Sequence, residues 1–197
     1  MARVRNSLGP IVGYHGCDRS VAEKVLRNKS DLMGSNNAYD WLGPGTYFWV
    51  DSPERGYEWA VSQSKRKNTK IKNPAIVGAF IHPGLCLNLT DYGVMEEIKA
   101  AYNFLRAFSA SAETPMPENK MQDEGIFLQR HLDCAVIKMV HALREEGQEL
   151  AYDTVYGVFE EGKELFDGSG FREKTHVQMA VRNLDCIIGY FRVPGYK

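Results

Sequence analysis

Four short stretches of the sequence carry residue types that could bind a ligand or do chemistry. The pair His15-Gly16 follows an apolar run, and Gly43-Pro44-Gly45 is separated by one residue from the aromatic run Tyr47-Phe48-Trp49. A helix-like segment with two more aromatic residues comes next, and Gln178 lies in an apolar run late in the chain. Glycines next to aromatic side chains suit a place where a planar ring must approach the backbone closely. The pattern therefore suggests a slot for a planar ring.

Each of these features also has a plainer interpretation. A histidine after a strand is often a structural residue, and an aromatic strand is usually part of the core. Gly43-Pro44-Gly45 could form an ordinary turn, and Gln178 could simply face water. The functional interpretation therefore depends on the whole set.

The elements that must position these residues can be predicted from local patterns. The run Ile11–Tyr14 predicts a strand that ends near His15, and residues 46–50 predict a second strand. Asp51 or Ser52 is expected to cap a helix with Pro53 in its first turn. On this helix Tyr57 and Trp59 are two residues apart, so they cannot share a face, and we expect one of them to pack inward.

The rest of the chain is strand-rich, then helical, then strand-rich again. A capping-box pattern at Ser20 predicts a short helix. Apolar periodicity predicts helices over 94–108 and 127–146, and two prolines make the linker 109–125 a loop. Strands are expected over these segments: 75–82, 85–89, 154–162, 176–183 and 186–193. Without βα alternation, this order favours an α+β fold with antiparallel pairing.

Composition limits the classes of function. The length of 197 residues suits one domain. With 24 basic and 25 acidic residues, the net charge is too small to attract the protein to nucleic acid or anionic lipid. The basic run at 65–72 is either a solvated helix end or a local phosphate-contacting patch. The four cysteines form no CxxC pair, which argues against a zinc ribbon. No long apolar window is present, so we expect a cytoplasmic protein with no membrane partner.

Taken together and in this order, the motifs resemble those of the PARP-like, diphtheria-toxin-type ADP-ribosyltransferases. The matching pieces are Tyr14-His15-Gly16, Gly43-Pro44-Gly45-Thr46-Tyr47-Phe48 and Thr175-His176-Val177-Gln178-Met179. The resemblance implies a single catalytic domain over 1–197, built on a split antiparallel β-sheet with a helical insertion at about 90–147. It also implies NAD as co-substrate, although the sequence has no GxGxxG fingerprint.

The resemblance also assigns roles to individual residues. His15 is expected to hydrogen-bond a ribose hydroxyl, and Gly16 to present its backbone to the nicotinamide amide. Tyr47 and a helix aromatic, either Tyr57 or Trp59, are expected to stack on the nicotinamide ring. We favour Trp59, because Trp59-Ala60 resembles an aromatic-small pair of bacterial relatives. No metal is implied.

The reacting position departs from the family pattern. Family members normally have a glutamate where this chain has Gln178. A glutamine can accept a hydrogen bond from the ribose, but it cannot serve as a general base. Chain elongation is therefore not expected, whereas transfer of one ADP-ribose is, with Glu173 as a second candidate for the catalytic group. The alternative is a module of the same fold that binds NAD or ADP-ribose without turnover.

The resemblance places acceptor recognition in the loop before the last motif. There Phe171 could stack on a base and Arg172 could contact a phosphate, or the loop could be a flexible linker. The acceptor is expected to be a protein or a nucleic acid, and bacterial relatives of this size suggest a toxin with a possible inhibitory antitoxin. A separate alternative is a cysteine-histidine hydrolase that uses Cys17.

Overall fold

A computed structural model describes residues 8–122 and 126–196, and its main feature is a seven-stranded sheet with four α-helices. The strands of the sheet are β1 (Ile11–Asp18), β2 (Thr46–Val50), β3 (Pro74–Ile81), β4 (Cys86–Asn88), β7 (Thr154–Phe159), β8 (His176–Val181) and β9 (Ile187–Arg192). A separate hairpin consists of β5 (Asn119–Gln122) and β6 (Ile126–Arg130). The helices are α1 (Arg19–Leu26), α2 (Pro53–Ser64), α3 (Met95–Ser111) and α4 (His131–Glu146).

The strand order brings remote parts of the sequence together. It is β4-β7-β8-β2-β1-β3-β9, so β2 lies between β1 and β8. Trp49 of β2 is opposite Tyr14 on one side and opposite Gln178 on the other. The predicted α+β class is confirmed, and the first and last strand-rich segments share one sheet.

The sheet is mixed, which corrects the prediction of purely antiparallel pairing. Strands β4 and β7 run parallel, with Cys86 opposite Thr154. Parallel neighbours need a long crossover connection. The chain between β4 and β7 contains α3, the β5–β6 hairpin and α4, which is long enough for that crossover.

The two faces of the sheet are covered by different elements. Helix α1 covers one face, where Val25, Phe48 and Met179 belong to one buried cluster. Helices α3 and α4 cover the strands β7 and β8 on the other face, where Val155 and Val140 belong to a second cluster. Helix α2 packs against β1 and β3. Because side chains alternate along a strand, neighbouring residues of β2 and β8 contribute to different clusters.

The predicted helix at 127–146 begins later than expected. Residues 126–130 form β6, and the preceding linker, predicted to be a loop, contains β5. The hairpin places the Asn119 side chain at the start of α4, where Oδ1 accepts hydrogen bonds from the amides of Leu132 (2.9 Å) and Asp133 (3.3 Å). These bonds satisfy amides that lack helical partners, so the helix starts at His131.

Within residues 8–122 and 126–196, no helix has both the length and the apolar composition needed to cross a bilayer.

Candidate functional site

The β1–β2 ladder opens at the first motif. It joins Gly13 to Val50 and Tyr14 to Trp49, whereas the ladder between β1 and β3 continues as far as Asp18. Beyond Tyr14 the His15 ring lies toward β2, and its Nδ1–H donates to the carbonyl of Tyr47 (2.8 Å). A side-chain bond has therefore replaced the backbone ladder at this point.

The opening leaves two polar groups directed at the gap. The Asp51 amide donates to Val12 O (3.1 Å), so the backbone groups of even-numbered β1 residues face β2. The N–H and C=O of Gly16 consequently point to where the ladder has ended. Because a carbonyl only accepts, His15 carries its proton on Nδ1, and Nε2 is an acceptor in the neutral ring. Burial lowers the pKa of His15, which favours that neutral form.

Gly16 is needed at its position for a steric reason as well. A Cβ at residue 16 would lie 2.3 Å from Gly56 O and 3.2 Å from the Ala60 Cβ. Gly56 and Ala60 are the buried residues of α2, so the helix backbone rests directly on β1. No side chain larger than hydrogen fits between them.

The second motif shapes the turn that enters β2. Gly43 has φ +75°, a conformation that favours glycine, and a Cβ on Gly45 would lie 2.9 Å from Val181 O. The turn is fixed by Tyr47, whose hydroxyl donates to Gly43 O (2.8 Å) and accepts from the Leu42 amide (3.0 Å). Burial raises the pKa of Tyr47, so this hydroxyl stays protonated.

The two helix aromatics lie on opposite sides of α2. Trp59 packs against Trp49 with ring centroids 5.4 Å apart, and Tyr57 packs against Tyr196 near the C-terminus (5.2 Å). Neither ring is buried, so the expectation that one of them packs inward is wrong. The face of α2 that lies against β1 consists of small residues, because Gly56 approaches the strand too closely for a large side chain. Trp59 is the aromatic that lies beside β2.

Gln178 is held by a tryptophan that the sequence did not point to. Its Oε1 accepts a hydrogen bond from Trp41 Nε1 (2.7 Å). Since the indole N–H can only donate, this contact fixes the orientation of the carboxamide and leaves its NH₂ group on the other side. Gln178 is paired with Trp49, so these two side chains lie on the same face of the sheet. If the β1–β2 register is extended by one residue, His15 comes opposite Phe48, which is paired with Met179 on the other face. The imidazole of His15 reaches the gap sideways, between β1 and β2.

A row of aromatic rings continues from Trp59 and Trp49 across the sheet. The His176 ring lies 6.3 Å from Trp49 and 5.4 Å from Phe159, and Phe159 lies 5.2 Å from Trp41. The guanidinium of Arg130 sits over Trp41 (4.8 Å), a cation–π geometry. Sequence reasoning missed His176, Trp41 and Arg130. For His176 a signal existed, since it precedes Gln178 by two residues and so shares its strand face.

Trp41 also lines a cavity of about 590 Å³ next to the helices of the insertion. Its other walls include Ile98, Tyr102, Val136 and Arg130. Trp41 therefore contacts both this cavity and Gln178.

The remaining predicted site residues lie in the connection between β7 and β8. Phe171 is 70% exposed, and Arg172 forms a β-bridge with Glu164 across the loop. The amide of Glu173 donates to Lys163 O (3.0 Å), and its side chain is exposed. These pairs make the connection an ordered hairpin-like loop that presents Phe171 to solvent.

The alternative of a cysteine-histidine hydrolase needs a reactive Cys17 thiolate, which the structure does not favour. Cys17 is buried, and burial raises the pKa of its thiol to about 12, so almost no thiolate forms at neutral pH. Among the described residues, no group of three or more His, Cys, Asp or Glu side chains is arranged to hold a metal ion.

Two buried histidines make a pH-dependent prediction. Burial, reinforced by neighbouring arginines, lowers the pKa of His176 to about 4 and that of His141 to about 3. Between pH 6.5 and these values the unfolded chain binds protons that the folded chain does not, so stability falls as the pH falls through this range. We expect His176 alone to account for a loss of about 3 kcal/mol between pH 7 and pH 4.

Urea unfolding from pH 7 to pH 4 measures this dependence. His141→Gln should show a shallower slope than wild type, whereas His82→Gln, at the exposed end of β3, should match wild type. Equal stability at both pH values contradicts the burial of these rings.

Replacing Trp41 with phenylalanine tests its bond to Gln178. The ring contact with Phe159 is retained, but Oε1 of Gln178 loses its donor, and we expect the free energy of unfolding to fall by about 1 kcal/mol. The side-chain NH₂ resonances of Gln178 should shift in NMR spectra. Unchanged resonances contradict the contact. Trp59→Phe is the control, because the Trp59 indole donates no hydrogen bond to another residue within 8–122 and 126–196.

The comparisons with known proteins identify one relative. A stretch of 66 residues is 36% identical to the uncharacterized protein MJ0359 of Methanocaldococcus jannaschii. The match covers 34% of this chain and 30% of that protein. No protein-family model matches the chain, and no solved structure matches it significantly.

Proposed function

We propose that this protein binds NAD and transfers one ADP-ribose to a macromolecular acceptor, as a PARP-like mono-ADP-ribosyltransferase. The observation that carries the proposal is the opening of the β1–β2 ladder at His15-Gly16, with the imidazole held by Tyr47 O. An opening of this kind is consistent with a split ADP-ribosyltransferase sheet. It also offers groups that could bind a dinucleotide in place of a Rossmann loop: an acceptor for a ribose hydroxyl, and the backbone groups of Gly16 that point to the opening.

In this proposal each motif has a separate task. His15 Nε2 accepts a hydrogen bond from a ribose hydroxyl, and the backbone of Gly16 pairs with the nicotinamide amide. Trp59 is the favoured helix aromatic for stacking, because it lies beside β2 while Tyr57 leans toward Tyr196. Tyr47 anchors the turn and forms the opposite wall. The reaction displaces nicotinamide from C1′ of the ribose, and the acceptor takes its place.

One observation favours the non-catalytic alternative. Gln178 carries no charge, and Trp41 already occupies one lone pair of its Oε1. A charge-free group stabilises an oxocarbenium-like ribose much less than a carboxylate does. A module that holds NAD or ADP-ribose without turnover is therefore the second candidate.

Two measurements on the wild-type protein distinguish these functions. Calorimetry with NAD tests binding, and chromatography of the reaction tests nicotinamide release, with and without cell lysate. Binding with release supports the transferase, binding without release supports the module, and absence of binding contradicts both. Radiolabelled NAD followed by separation of protein, RNA and DNA then identifies the acceptor class.

A further inference from the structure

Three buried polar atoms around the His176 ring have no hydrogen-bond partner in the described part of the chain. They are Trp49 Nε1, Arg55 Nε and His176 Nε2, on β2, α2 and β8 respectively. Buried polar groups are nearly always paired in folded proteins, so three unpaired ones on adjoining elements call for an explanation. A bound ligand or a reacting group that forms hydrogen bonds with these atoms is the simplest explanation.

The tautomer of His176 follows from its other nitrogen. Nδ1–H donates to Lys174 O at 2.7 Å, so Nε2 of the neutral ring carries a lone pair and no proton. The side chain is 93% buried, at 7% exposure, between the rings of Trp49 and Phe159. Nε2 is therefore a fixed, unprotonated acceptor.

His176 lies on the same face of β8 as Gln178, two residues away. The two side chains differ in their remaining capacity to accept hydrogen bonds. Trp41 already donates to Oε1 of Gln178, whereas Nε2 of His176 has no donor within the described residues. Of the two side chains only the imidazole is a base, since an amide does not take up a proton.

Four charged residues join helix α2 to the β7–β8 connection that leads to His176, and we call them the clasp: Arg55, Glu58, Glu161 and Lys174. Arg55 of α2 pairs with Glu161 at the start of the β7–β8 connection (2.9 Å). Glu58 of α2 pairs with Lys174 at its end (2.8 Å), and also contacts Arg55. Glu58 and Lys174 are well exposed, so their pair is weak and easily opened. In the proposal below, separation of this exposed pair is the route by which an acceptor reaches the buried ring.

We propose that His176 is the general base of the transfer reaction, an inference that rests on the proposed function. Nε2 removes the proton of the acceptor O–H or N–H as that oxygen or nitrogen bonds to C1′ of the ribose. The C1′–N bond to nicotinamide breaks, and its electron pair stays on the pyridine nitrogen, which becomes neutral. The imidazolium then releases its proton to water. The acceptor class that needs this base is a hydroxyl or an amine, whereas a carboxylate has no proton to lose.

Several elements near His176 carry charged side chains. Arg55 and Glu58 lie on α2, Glu161 follows β7, Lys174 precedes the ring, and Arg130 of β6 sits over Phe159 (5.6 Å). Burial is the largest cause of the lowered pKa of His176; Arg55 lowers this pKa further, whereas Glu58 raises it.

The test uses NAD with two nucleophiles, water and azide, and the variant His176→Asn. The asparagine amide nitrogen can keep the bond to Lys174 O but lacks Nε2. We expect hydrolysis of NAD to fall about 100-fold or more, with NAD affinity within threefold of wild type. Azide has no proton to lose, so it should raise nicotinamide release by the variant at least tenfold and yield ADP-ribosyl azide by mass spectrometry. His82→Asn is the control, and it should behave as wild type.

The outcomes separate this inference from the proposed function. Nicotinamide release by wild type, together with unchanged hydrolysis by His176→Asn, overturns the base assignment alone. So does a loss that azide does not restore while the circular dichroism spectrum and melting temperature are native. If His176→Asn does not fold, His176→Gln is measured in the same way, with the same result expected. Wild type that does not release nicotinamide overturns the transferase and the base together.

Discussion

Replacing Gly16 with alanine is expected to lower the free energy of unfolding by about 3 kcal/mol, because the new methyl group would collide with backbone. Its Cβ would lie 2.3 Å from Gly56 O, a helix backbone atom that cannot rotate away. Relief requires α2 to move off β1, which also disturbs Trp59 and its contact with Trp49. Chemical denaturation measures the change in stability directly.

The matched control is Gly189→Ala. Gly189 lies in β9 of the same sheet, and a Cβ there meets nothing within 4 Å. Its free energy of unfolding should change by less than about 1 kcal/mol. Equal stability of the two variants would show that α2 does not rest on Gly16.

Replacing His15 with alanine is expected to weaken NAD binding by about 10- to 100-fold. In the proposed complex, the substitution removes the acceptor for a ribose hydroxyl. It also leaves the Tyr47 carbonyl without its imidazole donor. Loss of one hydrogen bond with an unsatisfied partner is typically about 1–3 kcal/mol, which corresponds to this range of affinity. Calorimetry with NAD on the folded variant is the measurement.

His82→Ala provides the control for this second prediction, since His82 is exposed after β3. Its NAD affinity should equal that of wild type. If His15→Ala also binds NAD as tightly as wild type, the dinucleotide does not contact the imidazole. The assignment of His15 and the functional proposal built on it would then be wrong.

The local elements around the site could be predicted from the sequence to a useful degree. Strands β1 and β2 and helix α2 occupy the expected segments, since their signals lie in neighbouring residues. The start of α4 could not be predicted, because Asn119, twelve residues away from it, satisfies its first amides. Periodicity also cannot distinguish an apolar strand such as β6 from the first turns of a helix.

The contacts of the candidate site were harder to predict. Tyr57 and Trp59 were both reasonable choices for a stacking residue, and only the packing of α2 on β1 placed Trp59 beside β2. Trp41 lies two residues before the Gly43-Pro44-Gly45 motif and is not part of it, yet it holds Gln178 from 137 residues away. Its role depends on where the loop crosses the sheet, which no local pattern encodes.

The sequence by itself determined the chemical groups and the short elements that carry them: a histidine-glycine strand end, a glycine-flanked aromatic strand and a late strand with His176 and Gln178. Only the tertiary structure decided that β8 pairs with β2, that His15 fills the opening between β1 and β2, and that His176 is buried beside Gln178. Local propensity and alternation depend on neighbouring residues, whereas strand order and register depend on the burial and hydrogen bonding of the whole chain.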